Sequence, residues 1–280
     1  MTLIELSAGP VEYEDTGGEG PTVVLLHGLM MDSSLWSGPV AELAAGHRCV
    51  TPTLPLGAHR HATRPDADLS LPGVARLVVE FLDRLDLRDV TLVGNDTGGA
   101  LVQLVIAGDA ARVGRAVLVS CEAFDNFPPG LTGRTLMLTG KLPPRLFGMF
   151  MQQMRLRAVR RSPFAFGQLT RRGDAATRRW VEPVMKRQEI RRDAVRMLRA
   201  VGADTDVLSE AALRLPDFDR PALVVWARDD RVMPPAHGRR LAELLPHGSL
   251  VEIADSRTLV PLDQPGELAR VVREFTRLTV

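Results

Sequence analysis

The stretch that most constrains the fold is Gly-Asn-Asp-Thr-Gly-Gly at residues 94–99, between an apolar β-branched run at 90–93 and an apolar helix-like stretch at 100–107. A strand that turns sharply into a helix through small–x–nucleophile–x–small residues exposes the middle side chain above the sheet. That side chain is Asp96. The flanking glycines suit a strained middle residue, because a Cβ on either side would collide with the neighbouring strand or helix. The alternative is an ordinary glycine-rich turn with an incidental aspartate.

Strands and helices alternate along most of the chain. Residues 3–15 alternate apolar and polar side chains around Gly9-Pro10, which predicts an antiparallel hairpin. Runs typical of buried strands follow at 22–26, 48–53, 90–93, 116–120, 222–227 and 250–253. Helices are predicted over 35–45, 72–85, 100–107, 235–245 and 265–278. This order predicts an α/β fold with a mostly parallel eight-stranded sheet flanked by helices.

The alternation stops after Cys121. Residues 125–215 contain helix-like segments separated by prolines and no convincing strand. We expect a helical lid inserted after the sixth strand, above the carboxyl ends of the strands. The predicted domains are an α/β core at 1–123 and 217–280 and a helical cap at 124–216. Residues 125–215 hold 18 Arg and Lys against 8 Asp and Glu, a pattern typical of a solvated helical face, with attraction of anionic substrates as the alternative.

Whole-chain charge and hydropathy exclude several classes of protein. The formal net charge of +1 over 280 residues argues against a nucleic-acid or membrane-surface protein, both of which usually carry a basic excess. No apolar run approaches the ~20 residues of a membrane span, and the first residues lack the features of a signal peptide. We therefore expect a cytoplasmic protein whose partner is a small-molecule substrate.

These motifs resemble the α/β-hydrolase fold family, in particular its Asp-nucleophile branch of haloalkane dehalogenases and epoxide hydrolases. The resemblance implies that Asp96 is the nucleophile and Asp230 the supporting acid. It implies that His27-Gly28 belongs to the oxyanion loop, with the amides of Leu29 and Thr97 as donors. The sequence Asp-Ser-Arg-Thr at residues 255–258 is similar to the family's Asp-Ser-x-His loop.

The loop departs from the family at its catalytic position, where Thr258 stands in place of the histidine. In the family scheme the carboxylate attacks carbon to form an ester, and the histidine activates the water that hydrolyses the ester. A threonine hydroxyl does not accept a proton at neutral pH as an imidazole does. His59, His61 and His237 are candidate substitutes, and a surface or capping role is the alternative for each.

Two further departures weaken the named activities. Dehalogenases of this branch hold the halide with a tryptophan directly after the nucleophile, where this chain has Thr97. Epoxide hydrolases polarise the epoxide oxygen with lid tyrosines, whereas the single tyrosine here is Tyr13 in the hairpin. Trp36 and Trp180 are candidate substrate contacts, with packing in the core or lid as the alternative.

A third carboxylate follows the predicted strand at 116–120. Glu122 could converge with Asp96 and Asp230, and like charges in a dry pocket would raise at least one pKa and create a general acid. The alternative is that Glu122 points into the lid hinge and has no chemical role.

Three functions remain open at this point. The first is an enzyme that acts through Asp96 on a small or medium apolar substrate, without a metal or organic cofactor and with an impaired or altered second half-reaction. The second is a lyase, isomerase or cyclase in which Asp96 moves protons. The third is a catalytically silent ligand-binding protein.

Overall fold

An eight-stranded sheet runs through the computed structural model, which describes residues 1–277. Its strands are β1 (Thr2–Leu6), β2 (Gly9–Asp15), β3 (Thr22–Leu26), β4 (Arg48–Thr53), β5 (Val90–Asn95), β6 (Val113–Val119), β7 (Ala222–Ala227) and β8 (Gly248–Ile253). Their order across the sheet is β1-β2-β4-β3-β5-β6-β7-β8. β1 and β2 form the predicted antiparallel hairpin, β2 pairs antiparallel with β4, and every later pairing is parallel. The predicted fold class is confirmed.

Burial explains why β3, β5 and β7 are almost uniformly apolar. These central strands have neighbours on both sides and helices on both faces, so nearly all of their residues are buried. Their carboxyl ends meet at one edge of the sheet, and the loops that follow them are therefore brought together.

The helices that flank the sheet are α1 (Ser37–Leu43), α2 (Leu71–Arg84), α3 (Thr97–Gly108), α11 (Pro235–Leu244), α12 (Val260–Asp263) and α13 (Pro265–Arg277). The helix predicted over 35–45 is wrong at its start, because residues Ser33–Trp36 form a 3-10 turn capped by Asp32 before α1 begins. The predicted last helix includes Leu278, which lies outside the described residues.

The chain between β6 and β7 contains helices and no strand, and all of its residues are described. These helices are α4 (Gly130–Gly140), α5 (Pro144–Met151), α6 (Arg157–Arg160), α7 (Asp174–Trp180), α8 (Glu182–Lys186), α9 (Gln188–Ala203) and α10 (Val207–Ala212), with short 3-10 turns between them. We call residues 124–216 the helical segment. No helix within residues 1–277 has the length and apolar character needed to cross a lipid bilayer.

Candidate active site

The turn between β5 and α3 holds Asp96 in a strained backbone conformation, with φ of 56° and ψ of −132°. Such a conformation costs an L-residue on the order of 1–3 kcal/mol and persists only where the surroundings enforce it. The surroundings do so through close backbone contacts. A Cβ on Gly94 would lie 2.1 Å from the carbonyl oxygen of Gly98, and a Cβ on Gly98 would lie 2.1 Å from the carbonyl oxygen of Leu26. The glycines are therefore required for the turn.

The Asp96 carboxylate lies against the loop that follows β3. Its Oδ1 accepts a hydrogen bond from the amide of Thr97 at 2.8 Å, and the amide of Leu29 also donates to the carboxylate. A Cβ on Gly28 would lie 2.3 Å from Asp96 Oδ1, so the close approach of this loop needs glycine. The two amides that the sequence suggested as oxyanion donors thus both point at Asp96.

His27 holds the loop that follows β3 through hydrogen bonds of both ring nitrogens. Its Nδ1 lies 2.9 Å from the carbonyl oxygen of Gly28, and its Nε2 accepts a hydrogen bond from the amide of Leu54 at 2.9 Å. Nδ1 therefore carries the proton and donates to Gly28. Burial lowers the pKa of His27 to about 4, so the ring is neutral and both of its nitrogens are already used.

Backbone strain is concentrated around this edge of the sheet. Five of the seven non-glycine residues with positive φ within residues 1–277 lie in the loops after β3, β5, β6 and β8: Met30, Asp96, Ser120, Phe124 and Asp255. The other two, Asp86 and Asp89, lie in the loop before β5. Strained residues tend to cluster at functional sites, where the surrounding structure enforces them. Their distribution marks the carboxyl ends of the strands as the candidate active site.

Thr258 and Asp230 are brought together as the resemblance implies. The Thr258 hydroxyl donates to Asp230 Oδ1 at 2.8 Å, and the same oxygen accepts from the amides of Val232 and Met233, each at 2.9 Å. The side chain of Asn95 donates from Nδ2 to the carbonyl oxygen of Thr258 at 2.7 Å. Because Asn95 precedes Asp96, this bond fixes the Thr258 loop directly beside the turn.

Glu122 also lies at this site, since it lines the same cavity as Asp96. Its Oε1 is 2.8 Å from the Thr97 hydroxyl, which is 3.1 Å from Asp96 Oδ1. One hydroxyl therefore lies between the two carboxyl groups. The main chain of Glu122 is held by Gln103, whose Nε2 donates to its carbonyl oxygen at 2.7 Å.

Burial of these three acids changes their pKa values in one direction. Desolvation raises the pKa of Asp96 to about 6, although the hydrogen bonds from Thr97 and Leu29 oppose it. Desolvation and the neighbouring Asp96 raise the pKa of Glu122 well above its usual range, and desolvation also raises the pKa of Asp230. No ion pair within residues 1–277 joins any of the three to a basic side chain. The site therefore holds fewer than three negative charges near neutral pH.

The histidines considered as substitute bases have partners elsewhere. His59 Nε2 lies 3.5 Å from Asp193 Oδ2, and His61 Nε2 lies 2.9 Å from Glu12 Oε1. His237 packs edge-on against Phe124, with a ring-centroid distance of 5.2 Å. None of the three lines the cavity that contains Asp96. Within residues 1–277, no histidine forms a hydrogen bond with Asp96.

Trp36 and Trp180, suggested as substrate contacts, do not line that cavity. Both side chains are fully buried. The Trp180 indole donates to Asp32 Oδ1 at 3.0 Å and packs on Phe166, so it fixes the helical segment to the loop before α1. Trp36 is buried within the 3-10 turn at Ser33–Trp36.

The cavity itself lies between the helical segment and the core and opens to solvent. Its walls are mainly apolar, with Met30, Met31 and Val232 from the core and flexible or aromatic side chains from the helical segment. Those from the helical segment include Leu136, Met137, Phe150, Met151, Met154, Phe164 and Phe166. The sequence motifs do not identify these wall residues, although Met and Phe are concentrated between residues 137 and 166.

Several curated proteins are similar to this chain in sequence. A haloalkane dehalogenase from Mesorhizobium japonicum is 37% identical over 103 residues, which cover 37% of this chain and 33% of the dehalogenase. The chain thus spans about a third of that relative. Haloalkane dehalogenase 2 from Mycobacterium bovis is 26% identical over 277 residues, or 96% of this chain and 92% of that protein. A 2-hydroxy-6-oxononadienedioate/2-hydroxy-6-oxononatrienedioate hydrolase from Cupriavidus pinatubonensis is 25% identical over 86% of this chain and 81% of that protein.

Solved structures share the fold over the whole chain. An esterase from Thermogutta terrifontis aligns with a TM-score of 0.74 and 21% identity, covering 99% of this chain and 98% of the esterase. An enol-lactonase from Burkholderia xenovorans aligns with a TM-score of 0.73 and 18% identity, covering 99% and 100%. The family model described as the alpha/beta hydrolase family matches residues 23–271. The chain belongs to the alpha/beta hydrolase family.

Proposed function

We propose that this protein is an enzyme that binds a small or medium apolar molecule in the cavity and attacks one of its carbon atoms with Asp96. The observation that carries the proposal is the Asp96 carboxylate, which is exposed to an apolar cavity while the Thr97 amide holds its Oδ1 at 2.8 Å. A carboxylate held in this way is a suitable nucleophile at a saturated carbon. The product of the attack is an ester of Asp96.

The helical segment is the cap of this site in our proposal, and residues 1–123 and 217–280 are the core. The segment supplies most of the apolar cavity wall, so it keeps water from the carboxylate and selects substrates by size and apolar character.

The bond changes in the first step are simple. A carboxylate oxygen of Asp96 forms a new bond to the substrate carbon, and the leaving group departs with the electron pair of its own bond. The amides of Leu29 and Thr97 remain on the carboxyl group, where they would stabilise the oxyanion formed if water later attacks the ester.

The second step lacks a base at its usual place. The Thr258 hydroxyl already donates to Asp230, and a neutral hydroxyl does not take a proton from water at neutral pH. General-base assistance is typically worth ~10²–10⁴-fold, so we expect the ester to be hydrolysed slowly and to accumulate.

Labelling with n-butyl iodide tests the proposal. We expect intact-mass analysis to show one butyl group added and one hydrogen lost, and peptide mapping to place the butyl group on Asp96. Asp96→Asn should remove the label, because a neutral amide is a much weaker nucleophile. Turnover without an adduct, at a rate that Asp96→Asn leaves unchanged, would show that Asp96 is not the nucleophile.

A second candidate function is proton transfer at carbon by Asp96, as in a lyase, isomerase or cyclase. It is favoured by the pKa of Asp96 near 6 and by the Thr97 hydroxyl between Asp96 and Glu122, which together suit a group that gains and loses a proton near neutral pH. This candidate would replace the first if n-butyl iodide left no adduct and Asp96→Asn abolished deuterium uptake by cyclohexanone in D₂O. Tight binding of apolar ligands with neither reaction would favour a binding protein.

A further inference from the structure

Glu122 has a carboxyl oxygen that the proposed nucleophilic step does not use. The residue is 1% exposed and lines the cavity together with Asp96. Its Oε1 accepts the hydrogen bond from the Thr97 hydroxyl at 2.8 Å, whereas Oε2 is buried without a hydrogen-bond partner in residues 1–277. Burying an ionised carboxyl oxygen without a hydrogen-bond partner costs free energy. This indicates that Oε2 carries a proton or contacts a bound ligand.

The surroundings of Glu122 favour the protonated form. The acidic groups that face it are Asp96 and Asp230, and the neighbouring Cys121 thiol is kept neutral because burial raises its pKa. Hydrogen bonds from the Thr97 hydroxyl and from the amide of Glu122 itself lower the pKa of Glu122 but do not offset burial and charge repulsion. The Thr97 hydroxyl has one proton, and its shorter contact is with Glu122 Oε1, at 2.8 Å against 3.1 Å to Asp96 Oδ1. With Oε1 as the acceptor, the proton of the neutral acid belongs on Oε2.

The chemistry of the leaving group decides what such a proton can do. A halide leaves as a stable anion and needs only weak donors around it, whereas an oxygen leaving group becomes a strongly basic alkoxide unless it receives a proton. Neither indole considered as a substrate contact lines the cavity, and its wall is mainly apolar. Among residues 1–277, Glu122 is the one acid besides Asp96 in that wall.

We propose that Glu122 is the general acid of this site and protonates an oxygen leaving group, so that the substrates are apolar molecules with a strained C–O bond. The proposal rests on Asp96 as the nucleophile. In the reaction with an epoxide, Asp96 forms a C–O bond to one ring carbon and the ring C–O bond breaks. The electron pair goes to the ring oxygen, which takes the proton from Glu122 Oε2. The products are a hydroxyalkyl ester of Asp96 and the Glu122 carboxylate, which regains a proton from solvent.

Two probes of similar size separate the acid from the nucleophile. The test compares labelling by 1,2-epoxybutane, which needs a proton, with labelling by n-butyl iodide, which does not. The quantity measured is the ratio of the two labelling rates in the same protein, read by intact mass. We expect Glu122→Gln to lower this ratio by ~10²–10⁴-fold, because glutamine keeps the shape and the Oε1 acceptor but cannot transfer a proton.

A matched control is Asp193→Asn, which neutralises another buried carboxylate outside the cavity wall and should keep the wild-type ratio. The wild-type ratio should also fall as pH rises and Glu122 ionises, and this measurement needs no variant that folds. An unchanged ratio in Glu122→Gln, or a wild-type ratio that does not respond to pH, would overturn the role of Glu122. If n-butyl iodide labels the protein and the epoxide never does, the acid is overturned while the nucleophile stands. If neither probe labels Asp96, the nucleophile itself is overturned, and the role of Glu122 falls with it.

Discussion

The turn that carries Asp96 and the loop that carries Thr258 contact each other through the hydrogen bond from Asn95 to the Thr258 carbonyl. The turn has the features that the proposed attack requires, namely its glycines, its strained φ and the amide of Thr97. The loop is built as firmly. Asp263 accepts from the amide of Arg257 at 3.0 Å, and the Ser256 hydroxyl donates to the carbonyl of Ile253 at 3.0 Å.

Both regions therefore have a well-held backbone. They differ in that the loop lacks the histidine side chain of the family pattern, with Thr258 in its place. Asp230 still offers Oδ1 at the place where it would orient an imidazole, but it receives the Thr258 hydroxyl instead. If Asp96 attacks substrate as we propose, the scaffold for attack and the base for hydrolysis are separable within one alpha/beta hydrolase fold.

The largest effect is expected from restoring the base. Thr258→His should place an imidazole beside Asp230, and we expect hydrolysis of a preformed butyl ester of Asp96 to accelerate ~10²–10⁴-fold. Decay of the adduct mass with time measures the rate. Thr258→Asn is the control, because it also enlarges the side chain but supplies no base. A Thr258→His protein that melts like wild type, forms the ester and never releases it would show that the site is shaped for a reaction other than hydrolysis.

A smaller effect on the labelling rate is expected from a substitution that displaces the Asp96 carboxylate. The methyl group of Gly28→Ala would lie 2.3 Å from Asp96 Oδ1 and must displace the carboxylate or the oxyanion loop. A misplacement of about 1 Å can cost ~10²-fold in rate, so we expect butyl labelling to slow by about that factor.

Gly266→Ala is the matched control, since nothing lies within 4 Å of a Cβ there, and its labelling rate should equal that of wild type. Equal labelling rates in Gly28→Ala and Gly266→Ala would mean that the carboxylate does not depend on the contact with this loop.

The strands and the turn that carries Asp96 could be predicted from the sequence, because their sequence signals are local. Buried parallel strands read as apolar runs, and the glycine spacing around Asp96 follows from steric contacts within one turn. The resemblance also brought Asp230, Thr258 and Glu122 to one site. The start of α1 was wrong because Asp32 caps a 3-10 turn, a choice set by the packing of that loop.

The side-chain partners could not be predicted, because they are distant in the chain. His59 lies beside Asp193 and His61 lies beside Glu12, and only the folded topology brings these pairs together. For the same reason Trp180 reads as a cavity residue in sequence, yet its indole donates to Asp32. The cavity wall depends on how α4 and α5 pack above the sheet, which helical periodicity does not specify.

The smallest expected effect is on stability, and it reports the charge of Asp96 directly. The pKa of Asp96 is raised from 3.8 to about 6 in the folded protein, so folding favours the protonated acid. This contribution is fully present below the unfolded value and is lost as pH rises through about 6. At 1.36 kcal/mol per pKa unit, the loss is on the order of 3 kcal/mol. Asp96→Asn lacks this contribution. Relative to wild type, its free energy of unfolding should therefore rise by most of that amount between about pH 4 and about pH 7.

Chemical denaturation at the two pH values measures the difference, and titrating groups remote from Asp96 cancel because both proteins contain them. Asp219→Asn, which neutralises an exposed carboxylate, is the control and should show a much smaller change. If Asp96→Asn differs from wild type by the same free energy at both pH values, then Asp96 titrates alike in the folded and unfolded states. In that case the hydrogen bonds of the buried turn would stabilise the Asp96 carboxylate as well as water does. Burial would then not raise the pKa of Asp96.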